Sequence, residues 1–237
     1  ARFVFGFNQE REPFKGNVKV RQAAQYAVDR ENLAKVMGFG LAKPAYYVFW
    51  TPALLGYNES LPKYNYDPAK AKQLLAEAGY PNGYNLDLMV TARDPDRKIS
   101  EIVKQMWDGV GIKTTLDIIE RLAAIDRSNA SNFQSYFWGQ NASPDPDLQS
   151  RMIVCGRPSN WSRYCNPELD KCMAEGRSVY DPKQRQGIYE KCLRIVQEDA
   201  LIGAGYLEPY NRVHQKAVKG LEVHWIQTDL RNTWLDK

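Results

Sequence analysis

Apolar positions along the chain recur at two spacings, and the change from one to the other marks its elements. Residues 1–8, Ala1-Arg2-Phe3-Val4-Phe5-Gly6-Phe7-Asn8, read as a strand that begins almost at the first residue. From Asn17, whose side chain can cap free amides, the pattern becomes helical, with Val20, Ala23, Ala24, Ala27 and Val28 on one stripe. Asp29 caps a second short helix through Leu33, Val36 and Met37, and Gly38 and Gly40 stop it. Asp67-Pro68, Asn166-Pro167 and Asp181-Pro182 each place an acceptor at the N-cap and a φ-locked residue at the first helical position. Asp94-Pro95 reads as a fourth such start, leading into Ile99, Ile102, Val103, Met106 and Val110 with Trp107 beside them.

Strands alternate with these helices. Leu86 to Val90, Ile112 to Ile119 and Phe133 to Trp138 are predicted strands, with a short helix around Leu122 to Ile125 between the last two. The apolar run Leu201 to Leu207 and a strand-like Ala217 to Trp225 follow the last two capped helices. Strand, helix, strand, helix, strand predicts an α/β fold rather than a bundle or a sandwich. Residues 41–66 break the pattern. Prolines and the aromatics Tyr46, Tyr47, Phe49, Trp50, Tyr57, Tyr64 and Tyr66 predict an ordered loop, and loops of that length are often functional.

Composition narrows the class. The 237 residues are 43% hydrophobic and 25% charged, with 32 Lys and Arg against 28 Asp and Glu. A net charge of +4 is too small and too scattered to imply a nucleic-acid partner. No stretch reaches the roughly 20 apolar residues that cross a bilayer as a helix, and no leader pattern is visible. The 14 Tyr, 8 Phe and 6 Trp make up 12% of the chain. Their crowding at 46–66 and at the end of the 133–138 strand favours a recognition surface for a peptide or sugar, with core filling as the plain alternative.

Four cysteines allow three pairings. Joining near neighbours, Cys155 to Cys165 and Cys172 to Cys192, needs only short closures, whereas four reduced, partly buried thiols are the competing state. The disulfide reading implies an oxidising compartment. A zinc site is disfavoured, because no C-x-x-C knuckle exists and His214 and His224 are remote in sequence.

Catalytic material is sparse. Two histidines supply no H-E-x-x-H helix, and no G-x-S-x-G elbow exists. Gly38-Phe39-Gly40 follows a helix and lacks a following G-K-[ST], so it reads as helix termination rather than a phosphate loop. Asp145 and Asp147 flank Pro146. As a pair they would suit a glycosidase or a calcium ion, but the prolines favour turn and cap chemistry. Nothing in the chain implies a cofactor, and an enzyme is not expected.

Three stretches then carry a resemblance. Val20 to Arg30 looks like V-R-Q-A-x-x-Y-A-x-D-R, Tyr66 to Gly83 like Y-D-P-x-K-A-K-x-L-L-x-E-A-G-x-x-x-G, and Asn160 to Asp170 like N-x-S-x-Y-x-N-P-x-x-D. In order and spacing they resemble the C-terminal part of family 5 extracellular solute-binding proteins, the dipeptide- and oligopeptide-binding components of bacterial ABC importers. The resemblance implies the C-terminal lobe of a type II periplasmic-binding-protein-like fold, with a mixed sheet and flanking helices. Residues 1–210 would form that lobe, starting at a hinge strand near Phe7-Asn8 with a second crossing near Tyr206 to Pro209. Residues 211–237 would return to pack on a missing N-terminal lobe. Cysteines similar to Cys155 and Cys165 occur in dipeptide-binding relatives, which favours that bridge.

The same resemblance implies the site. Relatives grip a peptide ammonium with an Asp three residues after a strand-end Trp, and here that position after Trp138 is Asn141, which offers a carbonyl but no charge. The carboxylate-gripping Arg would come from the loop before the Trp107 helix. Arg93 is preferred there, because Arg97 falls inside the predicted helix. Trp138 and Trp50 are the preferred aromatic contacts, and Tyr46 and Tyr47 are weaker ones. The expected function is capture of a peptide or peptide-like solute by closure of two lobes, with delivery to a membrane permease. Because of Asn141, a sugar, opine or otherwise modified solute is the alternative, as is a receptor module without transport. The expected location is periplasmic or extracellular, with a lipid anchor in a Gram-positive host.

Overall fold

Alternation along a single strand organises both cores. The computed structural model describes residues 3–48, 51–139, 145–208, 213–223 and 228–236. Strand β1 (Phe3–Phe7) is buried at all five positions. Its odd residues, Phe3, Phe5 and Phe7, enter one hydrophobic cluster, and Val4 enters the other. Side chains of a strand alternate between faces, so a strand buried throughout must be covered on both.

Helices α1 (Val18–Tyr26), α2 (Arg30–Met37), α3 (Pro68–Glu77) and α4 (Asp94–Asp108) contribute to the first cluster. All five residues of the predicted α1 stripe are fully buried. At the centre stands Trp107, fully buried, edge-on to Phe5 at 5.3 Å, with its indole N–H donating to the Ala24 carbonyl at 3.0 Å. The second face is covered by α5 (Arg121–Asn129), the short α6 (Ser150–Ile153), and the hairpin of α7 (Pro167–Ser178) and α8 (Pro182–Glu198).

Between the layers lies a five-stranded sheet. Strands β3 (Tyr84–Thr91), β4 (Ile112–Ile119) and β5 (Ser135–Gly139) run parallel. β1 pairs antiparallel with β5 on one side and with β6 (Ile202–Ala204) on the other, giving the order β4-β3-β5-β1-β6. The fold is therefore α/β with a mixed sheet, as expected. Two glycines let the antiparallel half close. A Cβ on Gly203 would lie 1.9 Å from the Phe5 ring, and one on Gly6 would lie 2.4 Å from the ring of Tyr136. Strand β2 (Lys43–Pro44) pairs with β7 (Tyr206–Leu207) and is the only regular element described within the long 41–66 loop.

Residues 1–207 form one compact unit and residues 208–237 a second. The second contains two antiparallel ladders of two-residue strands: β8 (Val218–Lys219) with β11 (Trp234–Leu235), and β9 (Glu222–Val223) with β10 (Thr228–Asp229). The expected strand Ala217 to Trp225 is thus two short pieces separated at Gly220, and residues 224 and 225 lie outside the described set.

Side-chain caps follow the sequence closely. Asn17, Asp29, Asp67, Asn166 and Asp181 each accept from amides in the first turn that follows. The fourth Pro start differs. Arg93 occupies the N-cap of α4 and makes no side-chain cap bond, so Asp94 is the first helical residue. A carboxylate there faces the helix dipole favourably without serving as the cap. The β5 strand also begins at Ser135, two residues later than Phe133. Both near-neighbour disulfides form. Cys155 and Cys165 are bonded with Cα atoms 4.5 Å apart, and Cys172–Cys192 joins α7 to α8 at 5.7 Å.

Candidate functional site

Because β3, β4 and β5 are parallel, their carboxyl ends share one edge of the sheet, with Thr91 in register with Ile119. Open α/β sheets bind ligands outside that edge, where loops leave the strands. A cleft of about 150 Å³ lies there. Thr91 and Arg93 come from the end of β3 and the start of α4, and Arg121 and Ile125 from α5, which follows β4. Gly139 ends β5, Asp96 sits in the first turn of α4, and Trp161 is supplied by the disulfide-bounded loop 155–165.

The polar groups of this cleft are incompletely matched. Asp96 is 1% exposed and accepts a hydrogen bond from the Thr91 hydroxyl on Oδ2, while Oδ1 has no partner. Arg93 and Arg121 are exposed, and neither side chain makes a hydrogen bond or an ion pair within the described residues. Their neighbours differ. Arg97 pairs with Glu101 at 3.5 Å, and Arg127 is bound to Asp117 and to the Asn132 carbonyl. Trp161 donates its indole N–H to Asn129 Oδ1 at 3.0 Å and lies edge-on to Tyr136 at 6.4 Å. The cleft thus combines two guanidinium forks, a buried acceptor and an aromatic wall.

Of the residues expected at the site, Arg93 lines this cleft. Trp138 lies in β5 opposite Val4, with its side chain outside the described set, and Trp50 and Asn141 lie outside the described residues altogether. Tyr46 and Tyr47 do not line the cleft. The Tyr46 hydroxyl donates to Glu31 at 3.0 Å, and its ring is flanked by Arg30 and Lys63. Burial and the Glu31 bond raise its phenol pKa. Tyr47 is 3% exposed and donates to the Leu61 carbonyl at 2.7 Å, so it fills the interior of the loop.

The Asp145 and Asp147 pair is committed elsewhere. Asp145 caps the 3-10 turn Pro146–Gln149 through the Asp147 amide, and Arg185 Nη2 contacts both of its oxygens at 2.9 and 3.1 Å. Asp147 receives a guanidinium fork from Arg177 at 2.9 to 3.1 Å. These carboxylates are turn, cap and anchor groups. The Cys155 and Cys165 sulfurs and an Asp170 oxygen lie within 4.8 Å of one another, but the sulfurs are bonded together and are not thiolate ligands.

A larger concavity of about 300 Å³ occurs beside Arg11, Asp87, Arg127 and Gln134. Its amide and guanidinium groups are spent internally, while the Glu12 and Asp87 carboxylates that line it are exposed and make no ion pair among the described residues. Gln134 accepts from the Asp87 amide and donates to the Glu12 carbonyl, and Arg127 is taken by Asp117. The smaller cleft is the better site, because it lies at the carboxyl ends of the parallel strands. Arg121, Asp96 and Trp161 were not among the expected site residues. Arg121 is detectable in principle, because it follows by two residues the end of the strand predicted over Ile112 to Ile119, which the structure shows to be parallel to β3. Asp96 and Trp161 need the tertiary fold.

Comparison with known proteins identifies the family and agrees with the fold. A family model described as "Bacterial extracellular solute-binding proteins, family 5 Middle" matches residues 2–161. Heme-binding protein A of Haemophilus influenzae is 34% identical over 206 residues, which are 82% of this chain and 37% of that protein. Glutathione-binding protein GsiB of Escherichia coli is 29% identical over 236 residues, covering 94% and 44%. The periplasmic binding protein DppA of Helicobacter pylori, solved with a peptide, superposes with a TM-score of 0.86 at 25% identity, over all of this chain and 47% of that one. The chain spans less than half the length of each of these proteins.

Proposed function

Because the chain belongs to the bacterial extracellular solute-binding proteins of family 5, we propose that it supplies one face of a solute trap serving an ABC-type importer, and that it binds rather than transforms its ligand. The observation that carries this reading is the cleft at the carboxyl ends of β3, β4 and β5, with Arg93 and Arg121 unpaired at its mouth. A partly open site whose charged groups lack partners suits a surface completed by a ligand and by a second lobe. The relatives named above are described as binding heme, glutathione and a peptide. We propose a peptide or peptide-like solute, with a sugar-containing or opine-like one as the alternative that Asn141 keeps in play.

Residues 1–210 would form the C-terminal lobe, and residues 211–237 would return to pack on an N-terminal lobe. Crossings near the Phe3 end of β1 and near Tyr206, which lie side by side, would serve as the hinge. The expected crossing at Phe7-Asn8 sits at the opposite end of β1. Capture would close the lobes, exclude water and present the closed shape to a membrane permease. The permease can read that shape provided the ligand favours the closed state by a few kcal/mol. The protein would work in the periplasm, or outside the cell on a lipid anchor. Solute retained by the intact protein, released and identified by mass spectrometry, tests the reading together with small-angle scattering before and after its return. A retained small molecule that compacts the particle is expected. No retained solute, and no compaction with any member of a peptide, sugar and opine panel, would remove it.

A further inference from the structure

We infer that this cleft selects a solute carrying two separate acidic groups together with a hydrogen-bond donor, and that Arg121 anchors the second acid. The inference rests on the solute-capture reading and adds the chemistry of the ligand. Arg93 and Arg121 leave adjacent strands, β3 and β4, at the same edge, and both line the cleft. The nearest arginines along their own helices, Arg97 and Arg127, are taken by Glu101 and Asp117. The side chains of the two that line the cleft have no partner among the described residues.

An exposed guanidinium is comfortable in water, but closure around a ligand takes water away. A desolvated cation without a partner is strongly unfavourable. One carboxylate offers two oxygens, which a single guanidinium fork occupies in the bidentate geometry. A zwitterion with one carboxylate would satisfy one fork and leave the other desolvated, whereas a second acid removes that cost. Asp96 sets the third requirement. Its carboxylate is buried in the same cleft, Thr91 occupies Oδ2, and Oδ1 has no donor. An ammonium, amide N–H or hydroxyl of the ligand supplies one. A solute without acids leaves both arginines unmatched, and a solute without a donor leaves Asp96 unmatched.

Calorimetric titration of the intact protein with glutathione, which carries two carboxylates and an ammonium, and with its glycine-amide analogue tests this directly. The amide is expected to bind roughly tenfold or more weakly, consistent with loss of one charge-assisted pair. Arg121→Gln should weaken glutathione by a similar factor while leaving the amide unchanged. Lys98→Gln, which removes an exposed charge outside the cleft, should change neither. Equal affinity for the two probes overturns the inference, as does an Arg121→Gln effect that is absent or is the same for both. If neither probe binds, the retained solute decides: two acidic groups support the inference, and one or none overturns it. Absence of any retained or titrated solute removes the solute-capture reading itself, and this inference with it.

Discussion

Arg30 donates from Nε to the main-chain carbonyl of Ala204 at 2.7 Å, which ties the start of α2 to the edge strand β6. The guanidinium is 2% exposed and has no carboxylate partner among its hydrogen bonds. It bonds instead to the carbonyls of Gln25, Val28 and Tyr64 and to the Gln25 side chain. Burial lowers its pKa to about 10. Arg30→Met should therefore cost about 3 to 5 kcal/mol in urea unfolding, because several buried carbonyls lose their donor together. Arg30→Lys should recover only a small part, since one ammonium cannot replace the planar fork. A loss below about 1 kcal/mol would show that water takes over these carbonyls.

The same relationship explains what the sequence signature records. In the Val20 to Arg30 segment, Arg21 donates to the carbonyls of Phe14 and Asp199, and Arg30 to those of Ala204 and Tyr64. The motif marks scaffold, in which polar side chains hold backbone from distant segments. This is why it identifies the family yet points to no ligand contact. The cleft residues Arg121 and Asp96 lie outside the three signature stretches.

The Cys172–Cys192 bridge closes a hairpin already packed through Leu169, Met173, Tyr189 and Leu193. Replacing both cysteines with Ala should lower unfolding free energy by roughly 2 to 4 kcal/mol. Loss of the Cys155–Cys165 bridge should cost less stability and more order at Trp161, which that loop presents to the cleft. Denaturant midpoints with and without reductant, beside tryptophan fluorescence of the two double variants, separate these outcomes. Equal fluorescence change in both would count against the loop assignment.

Alkaline pH should unfold the protein through its tyrosines. Burial holds the phenols of Tyr64, Tyr84 and Tyr164 well above their usual value and raises Tyr136 to about 12. A raised folded value means that the unfolded chain ionises first, so this stability is intact below about pH 10 and falls as pH rises through the folded values. Arg30, lowered to about 10 by burial, and Arg21, also lowered by burial, act in the opposite direction, but they are two groups against four. Urea midpoints should hold to about pH 10 and drop progressively above it, with tyrosinate absorbance appearing in step with unfolding. Tyrosinate appearing fully before any loss of structure would contradict the burial argument.

Most of the architecture was legible because it is encoded locally. The α1 stripe, the Asx-Pro starts and the span of β4 follow from side-chain period and cap chemistry, which need no partner segment. The role of the loop aromatics was less legible. Composition cannot distinguish Tyr47, whose hydroxyl reaches the Leu61 carbonyl inside its own loop, from a ring facing a ligand. The cleft was only half legible. Arg93 stood next to a predicted helix start, but Arg121 and Trp161 reach the same edge through β4 and through a disulfide loop, a convergence that exists only once the sheet is assembled.

Asp145 and Asp147 allow a direct separation of anchor from catalyst. Each faces an arginine of the α7–α8 hairpin, Asp145 with Arg185 and Asp147 with Arg177, and Asp145 also accepts the Asp147 amide. Partly exposed pairs of this kind contribute modestly, so Asp145→Asn and Asp147→Asn should each lower unfolding free energy by about 0.5 to 1.5 kcal/mol. The carboxylates are already occupied by guanidinium groups, and neither lines the cleft. Solute affinity of either variant should therefore stay within roughly twofold of the parent, since no ligand contact is lost. Arg185→Gln should cost more than Asp145→Asn, because Arg185 also donates to the Gly176 carbonyl and the Tyr189 hydroxyl. The double variant should cost less than the sum of the two, because both remove the same pair. A glycan substrate turned over by the parent and by neither Asp variant would instead assign these groups to chemistry.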